Sequence, residues 1–174
     1  IKTSKEKTDI QGKNVAVIGG GSVAIDSAVS AAASGANKVY LISLEHLKEL
    51  PADVEEINLA RTMDIIFKSG SQITDAIPDH NKITGLKGIE IEWIESGKFI
   101  PENARQICGT EFNLKVDIVV QAIGTKPGQE LAGFAKGLET SGKGIVSVNE
   151  NFETNIPGIF AGGDVINGGA TVVQ

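Results

Sequence analysis

An α/β domain with a parallel sheet and an antiparallel β-meander insert is the fold that this 174-residue sequence predicts. Three observations carry the prediction. Two apolar runs near the start flank an alanine-rich segment, which is the pattern of a β-α-β crossover. The middle of the chain changes to alternation of apolar and charged residues, the period of a strand with one wet face. Near residue 116 a mostly apolar run returns, as in a strand buried on both faces.

Residues 1–12 are polar, lysine-rich and without periodicity, and read as a linker from an upstream domain or a frayed terminus. A buried strand follows at Asn14-Val15-Ala16-Val17-Ile18 and ends in Gly19-Gly20-Gly21. Ser22 is placed to cap the next helix, residues 23–34 carry five alanines of high helix propensity, and Gly35 ends the helix. Residues 38–43 (Lys-Val-Tyr-Leu-Ile-Ser) suit a second strand. Pro51 fits a first helical turn, and Asp53, Glu55 and Glu56 fit the positive end of a helix running to about Met63, with Val54, Ile57 and Arg61 on one stripe. Residues 64–68 read as a strand. Ile89, Ile91 and Trp93 alternate with Glu90 and Glu92, and segments near 71–77 and 106–115 are expected to pair with them as the meander. Residues 116–124 form the next buried strand, and 145–148 and 158–161 two more short ones, the second entered through Pro157-Gly158.

Composition narrows the function classes. With 41% apolar and 22% charged residues the chain can build one core. Sixteen basic against 22 acidic residues give a net charge of -6, which argues against a grip on nucleic acid phosphates. No apolar run approaches the roughly 20 residues of a membrane span and no signal-like start is visible, so a cytoplasmic location without a membrane partner is expected. The lone Cys108 excludes an internal disulfide, a CxxC pair and a thiolate metal cluster, and is expected as a small buried hydrophobe. His46 and His80 lack ligand-spaced neighbours and are expected at the surface, so no metal site is assigned. Trp93 is expected to pack rather than to serve as a stacking platform. GxSxG, HExxH and Walker motifs are absent, and no catalytic acid or base is assigned. The chain opens at Ile1 and stops at Gln174 as an apolar segment begins, which reads as a piece of something longer.

Glycine is in excess: 21 of 174, about 12%, against roughly 7% usually, and it is clustered. Gly19-x-Gly21-x-x-Ala24 has the spacing of a dinucleotide fingerprint, and here it follows a strand and opens a helix, the context that such a Rossmann-like nucleotide-binding domain requires. The first glycine allows a tight turn, the second admits a pyrophosphate to the backbone, and the small third residue lets helix and strand close together. The candidate phosphate cradle is therefore Gly19, Gly20, Gly21, Ser22, Val23 and Ala24. At the ribose end, Ser43 closes the second strand and Glu45 follows, with no arginine nearby, although Lys48 is within reach in sequence. Glu45 would repel a 2′-phosphate and accept hydrogen bonds from a ribose diol, which favours NAD over NADP.

Taken together, 17–28 (Val-Ile-Gly-Gly-Gly-Ser-Val-Ala-Ile-Asp-Ser-Ala), Leu50-Pro51-Ala52 with Glu55-Glu56, 117–124 (Asp-Ile-Val-Val-Gln-Ala-Ile-Gly) and 159–165 (Ile-Phe-Ala-Gly-Gly-Asp-Val) resemble the glutamate synthase small (β) subunit family, which includes the flavin portion of dihydropyrimidine dehydrogenase. The resemblance runs from about residue 10 to the end. It implies an NAD(P)- and FAD-dependent oxidoreductase in which the nicotinamide domain is inserted into the FAD domain. Residues 13–127 would be the NAD(P)-binding domain and 128–174 the start of the returning FAD segment. FAD would be bound in the full-length protein, with FAD and iron–sulfur domains upstream or in a partner subunit. By the same resemblance, Ala122, Ile123 and Gly124 pass close to the nicotinamide nucleotide. Asp164, after Gly162 and Gly163, accepts from the flavin's ribityl hydroxyls, and 168–173, including Thr171, start a helix aimed at the isoalloxazine edge. One departure stands out, because NADPH-using relatives show Tyr-Arg-Arg or Arg-Lys where this chain has Ser43-Leu44-Glu45.

The expected role is thus to pass hydride from nicotinamide to flavin, in a chain that holds half an FAD site, retains little FAD and is inactive alone. A non-catalytic NAD(H) sensor would not need Gly162-Gly163-Asp164. A docking module that had lost its ligand would not need Gly19, Gly21 and Ala24.

Overall fold

The computed structural model describes residues 9–80, 82–124, 137–141 and 144–168, which fall into two compact units divided between Gly124 and Thr125. The first unit holds β1 (Asn14–Ile18), α1 (Ser22–Ala33), β2 (Lys38–Ile42), α2 (Val54–Thr62), β3 (Ile66–Lys68), β4 (Ser71–Asp79), β5 (Lys82–Trp93), β6 (Ala104–Gln106), β7 (Phe112–Lys115) and β8 (Ile118–Gln121). A four-stranded sheet in the order β3-β2-β1-β8 is parallel throughout. The meander pairs β5 antiparallel with β4, β6 and β7. The predicted α/β fold, with its antiparallel insert, is therefore the observed one.

Strand periodicity explains how the layers assemble. Side chains alternate across β1, so Val15 and Val17 join Val39 and Leu41 of β2 against Ala24, Ile25, Ala28 and Ala31 of α1. Ala16 and Ile42 point the other way and pack with Leu86, Leu114 and Val116, so the meander covers the second face of the parallel sheet. That is why β1 tolerates no polar residue at its centre: Val15, Ala16 and Val17 are all fully buried. The alanines of α1 bring the helix close to the sheet, and Ile25 fills the space between, worth about 1.5–3 kcal/mol of transfer free energy. In β5 the buried positions Leu86, Ile89 and Ile91 share the strand with exposed Lys87, Glu90 and Glu92.

Several local expectations are corrected. Gly21 rather than Ser22 is the N-cap of α1, and Ser22 is its first helical residue. Helix α2 starts after Asp53, whose N–H donates to Glu56 Oε2 at 3.2 Å, so Pro51 lies outside it. Val54 points to solvent, and Ala60 is the residue α2 buries. β3 starts at Ile66 because Asp64 adopts a left-handed φ of 55°, which breaks the extended run. Cys108 is exposed. It sits in the turn closed by Thr110, whose N–H and hydroxyl both donate to the Ile107 carbonyl, and such a turn faces water.

In the second unit the two expected strands are single bridges instead: Thr140 with Val146, Val148 with Thr154, and Glu153 with Phe160. Asn149, whose side chain accepts from the N–H groups of Asn151 and Glu153, turns the chain too tightly for a longer ladder. A one-turn helix, Asp164–Asn167, ends at Gly168, and the helix expected over 168–173 lies outside the described residues beyond Gly168. Thr171 lies outside the described residues, as do most of the linker 1–12 and all of 125–136.

Candidate nucleotide-binding site

Parallel pairing aligns the carboxyl ends of four strands along one edge, with Ile18 opposite Ile42 and Gln121, and Ile42 opposite Lys68. The chain steps outward from β1 to β2 and β3, then returns with β8 on the other side of β1. Strand order thus reverses beside β1, the place where open α/β sheets form a ligand crevice. The loops after β1, β2 and β8 all meet this edge, and they carry most of the predicted site residues.

The three glycines after β1 have three different reasons. Gly19 has φ 143°, and a Cβ there would collide with the Ala122 carbonyl and stand 3.2 Å from Ala24 Cβ. Two hydrogen bonds hold this contact: Gly19 N–H donates to Ile42 O at 2.9 Å, and Ala122 N–H to Ile18 O at 2.8 Å. Gly20 is buried under the loop after β2, where a Cβ would meet Glu45 Oε2 at 2.9 Å and Leu50 Cδ2 at 3.0 Å. Gly21 is unlike both. Its φ is -85°, ordinary for any residue, and a Cβ built there has no atom within 4 Å.

Helix α1 opens directly from Gly21, whose carbonyl accepts from Ala24 and Ile25 N–H at 2.9 and 3.1 Å. The first N–H groups of a helix have no partner within it, and here Ser22 and Val23 are exposed with no acidic residue in the first turn to repel an anion. At the far end of β8, Ala122 backs onto Gly19, Ile123 is 71% exposed, and Gly124 has φ 85°.

The ribose-end candidates lie together in the loop after β2. Ser43 is buried and its hydroxyl donates to Glu45 O at 2.9 Å, so it shapes the turn. Gly70 N–H donates to the same carbonyl at 3.0 Å. The Glu45 carboxylate lies over Gly20 and so joins the β2 loop to the glycine loop.

Sequence reasoning passed over Glu49 and Gly70 and read Trp93 as packing alone. Glu49 Oε2 accepts from Trp93 Nε1–H and from His46 N–H, both at 3.0 Å. Burial pulls the Glu49 carboxyl upward, but the Trp93 and His46 N–H bonds and the electrostatic pull of His46 outweigh it and hold it below the ordinary glutamate range. The stabilisation from this carboxylate is complete above that range and is lost as pH falls through the lowered value. The His46 ring lies against Gly70. The one available signal was the indole N–H, which needs an acceptor once half-buried. Among the described residues no group of three or more His, Cys, Asp or Glu could hold a metal ion, and no helix is long and apolar enough to cross a membrane.

In the second unit, Gly163 (φ 69°, ψ -148°) is the N-cap of Asp164–Asn167, Asp164 is exposed, and a Cβ on Gly162 or Gly163 would meet nothing within 4 Å.

Comparison with known proteins decides the family. The family model for pyridine nucleotide-disulphide oxidoreductases matches residues 2–174. This chain belongs to that family. Among its family relatives, the NADP(+)-dependent formate dehydrogenase subunit beta of Moorella thermoacetica is 35% identical over 166 residues, covering 95% of the chain and 23% of the relative. The glutamate synthase [NADPH] small chain of Escherichia coli (strain K12) is 29% identical over 169 residues, covering 94% of the chain and 36% of the relative. The chain thus spans well under half of either relative, and the resemblance read from its motifs is borne out by the second. A thioredoxin reductase from T. acidophilum shares the fold, with a TM-score of 0.74 at 22% identity over 94% of this chain and 47% of that one.

Proposed function

We propose that the glycine loop and the β2 and β8 ends bind a nicotinamide dinucleotide, and that the chain is the nicotinamide-nucleotide part of an FAD-dependent oxidoreductase. The observation that carries this is Gly21. Neither its φ nor its surroundings require glycine, whereas a phosphate approaching the backbone would. The pyrophosphate would lie on the N–H groups at the start of α1. Ala122, Ile123 and Gly124 would border the nicotinamide. When bound, nicotinamide supplies the hydride and flavin accepts it, while the protein supplies orientation and electrostatics.

Residues 13–127 are read as the coenzyme domain and 128–174 as the start of the returning flavin segment, with Gly163, Asp164 and Thr171 toward FAD. Open space beside Gly162 and Gly163 and the exposed Asp164 carboxylate support that part. The remaining flavin site and the iron–sulfur groups would come from further domains or a partner subunit, so this chain alone would bind FAD weakly and be inactive.

For the coenzyme, the reading is NAD. Both relatives are NADP(H) proteins by name, and the departure rests on Glu45, whose carboxylate over Gly20 would accept from a ribose diol and repel a 2′-phosphate. Calorimetric titration with NADH, NADPH and FAD tests all three parts. NADH is expected to bind about tenfold tighter than NADPH, a difference of about 1.4 kcal/mol, and FAD to bind weakly. Tighter NADPH would overturn the coenzyme choice, and no binding of either nucleotide would overturn the site.

A further inference from the structure

The 11-residue connection from β2 to α2, residues 43–53, contains no helix or strand, yet it carries Glu45. In such a connection a side chain stays in place only where individual bonds fasten the backbone. Some of those fastenings come from outside the parallel sheet. Gly70, which donates to the Glu45 carbonyl, itself accepts from Ile91 N–H of β5 at 2.9 Å. Two residues further along β5, Trp93 donates to Glu49. The same Glu49 oxygen accepts from His46 N–H, next to Glu45, while Glu49 N–H returns a bond to the His46 carbonyl at 2.7 Å. Phe99 packs edge-on against the indole, with ring centroids 5.5 Å apart, and holds its orientation.

We propose that Trp93 and Glu49 are positioning residues of the nucleotide site, whose hydrogen bond locks the 43–50 segment and thereby aims Glu45 at the coenzyme's adenosine ribose. The proposal rests on the nicotinamide-nucleotide reading above. It gives the antiparallel meander a part in choosing the coenzyme, although no meander residue was placed in the pocket. A carboxylate that accepts from two vicinal hydroxyls does so only in a narrow range of positions. Freeing the segment therefore affects the diol contact and leaves the phosphate cradle after β1 intact.

The test compares NADH and NADPH affinities, by calorimetry, of the unaltered chain with Trp93→Phe, Glu49→Ala, Glu49→Gln and the Trp93→Phe/Glu49→Ala pair. Loss of one charge-assisted hydrogen bond predicts about five- to tenfold weaker NADH binding for Trp93→Phe. Glu49→Ala, which also loses the bond from His46 N–H, should be weakened at least as much, with NADPH affinity within about twofold for both. Glu49→Gln keeps an oxygen acceptor and is expected to stay within about twofold for both. The pair should be no weaker than Glu49→Ala alone, because that variant already removes the bond lost in Trp93→Phe. A general loss of packing would instead weaken both coenzymes alike, add in the pair and leave Glu49→Gln unrescued, and that result would overturn the proposal. So would unchanged NADH affinity in Glu49→Ala alongside a loss in Glu45→Ala, with the nucleotide reading left standing. Failure of the unaltered chain to bind either coenzyme would sink that reading first and this proposal with it. Should Trp93→Phe unfold, Glu49→Ala and Glu49→Gln carry the comparison by themselves, since they alter only a loop side chain.

Discussion

Gly19 and Gly21 are two positions apart, and opposite physical demands fall on them. Gly19 is needed by the protein itself: at φ 143° an L side chain is strained, and a methyl would strike the Ala122 carbonyl. Neither the φ nor the surroundings of Gly21 demand glycine, and in the proposed function only an approaching phosphate does. Gly19→Ala is therefore expected to cost about 2–4 kcal/mol of unfolding free energy in urea titration. Gly21→Ala should change stability by no more than about 1 kcal/mol, yet weaken NADH at least about tenfold, because the methyl occupies the phosphate's approach. If Gly21→Ala bound NADH as well as the unaltered chain, the cradle would lie elsewhere. The fingerprint spacing was legible in the sequence, and so was Glu45 as the acidic residue beyond β2. The division of labour among the glycines was not, because it depends on Ala122 and Leu50, brought there from distant parts of the chain. The exposure of Cys108 was equally hidden, since residue type favoured burial and only the turn at Ile107–Thr110 reveals the opposite.

At the level of elements, β1, α1 and β2 could be read directly, because their apolar content is dense and glycines mark their ends. The meander could be read from the alternation in β5. What escaped were the short pieces, where one residue outweighs the pattern, as Asp64 does in delaying β3 and Asn149 does in reducing 145–161 to single bridges. The hairpin from β5 to β6 depends on such a residue too. Asn103 is buried, its Oδ1 accepts from Glu95 N–H at 3.0 Å, and its Nδ2 donates to the carbonyls of Glu95 and Lys98 at 2.8 and 2.7 Å. Asn103→Ala would strand these groups in the turn, and a loss of about 2–3 kcal/mol in chemical denaturation is expected. A loss below about 0.5 kcal/mol would mean that water replaces the amide at no cost.

For the molecule as a whole, the two apolar clusters draw every described member from the first unit, on either side of one parallel sheet. Residues 9–124 are therefore expected to unfold in one cooperative transition, with a midpoint within about 5 °C of the 174-residue chain. The same piece should bind NADH within about twofold of it. A broad, non-cooperative melt would show that the sheet needs residues beyond 124. The strand-order reversal beside β1 follows from topology, and the glycine motif after β1, from which the proposed site was read in sequence, lies at that place. The link from β5 to the β2 loop could not be foreseen, because Trp93 and Glu49 are 44 residues apart and meet only when the meander covers the sheet.

The exposed turn at Cys108 also has a practical use. The chain has one thiol and one indole, both near ends of the strands that build the meander. A maleimide dye would attach at a single place without mutagenesis, and energy transfer from Trp93 would then act as a built-in ruler across that hairpin while ligands are added.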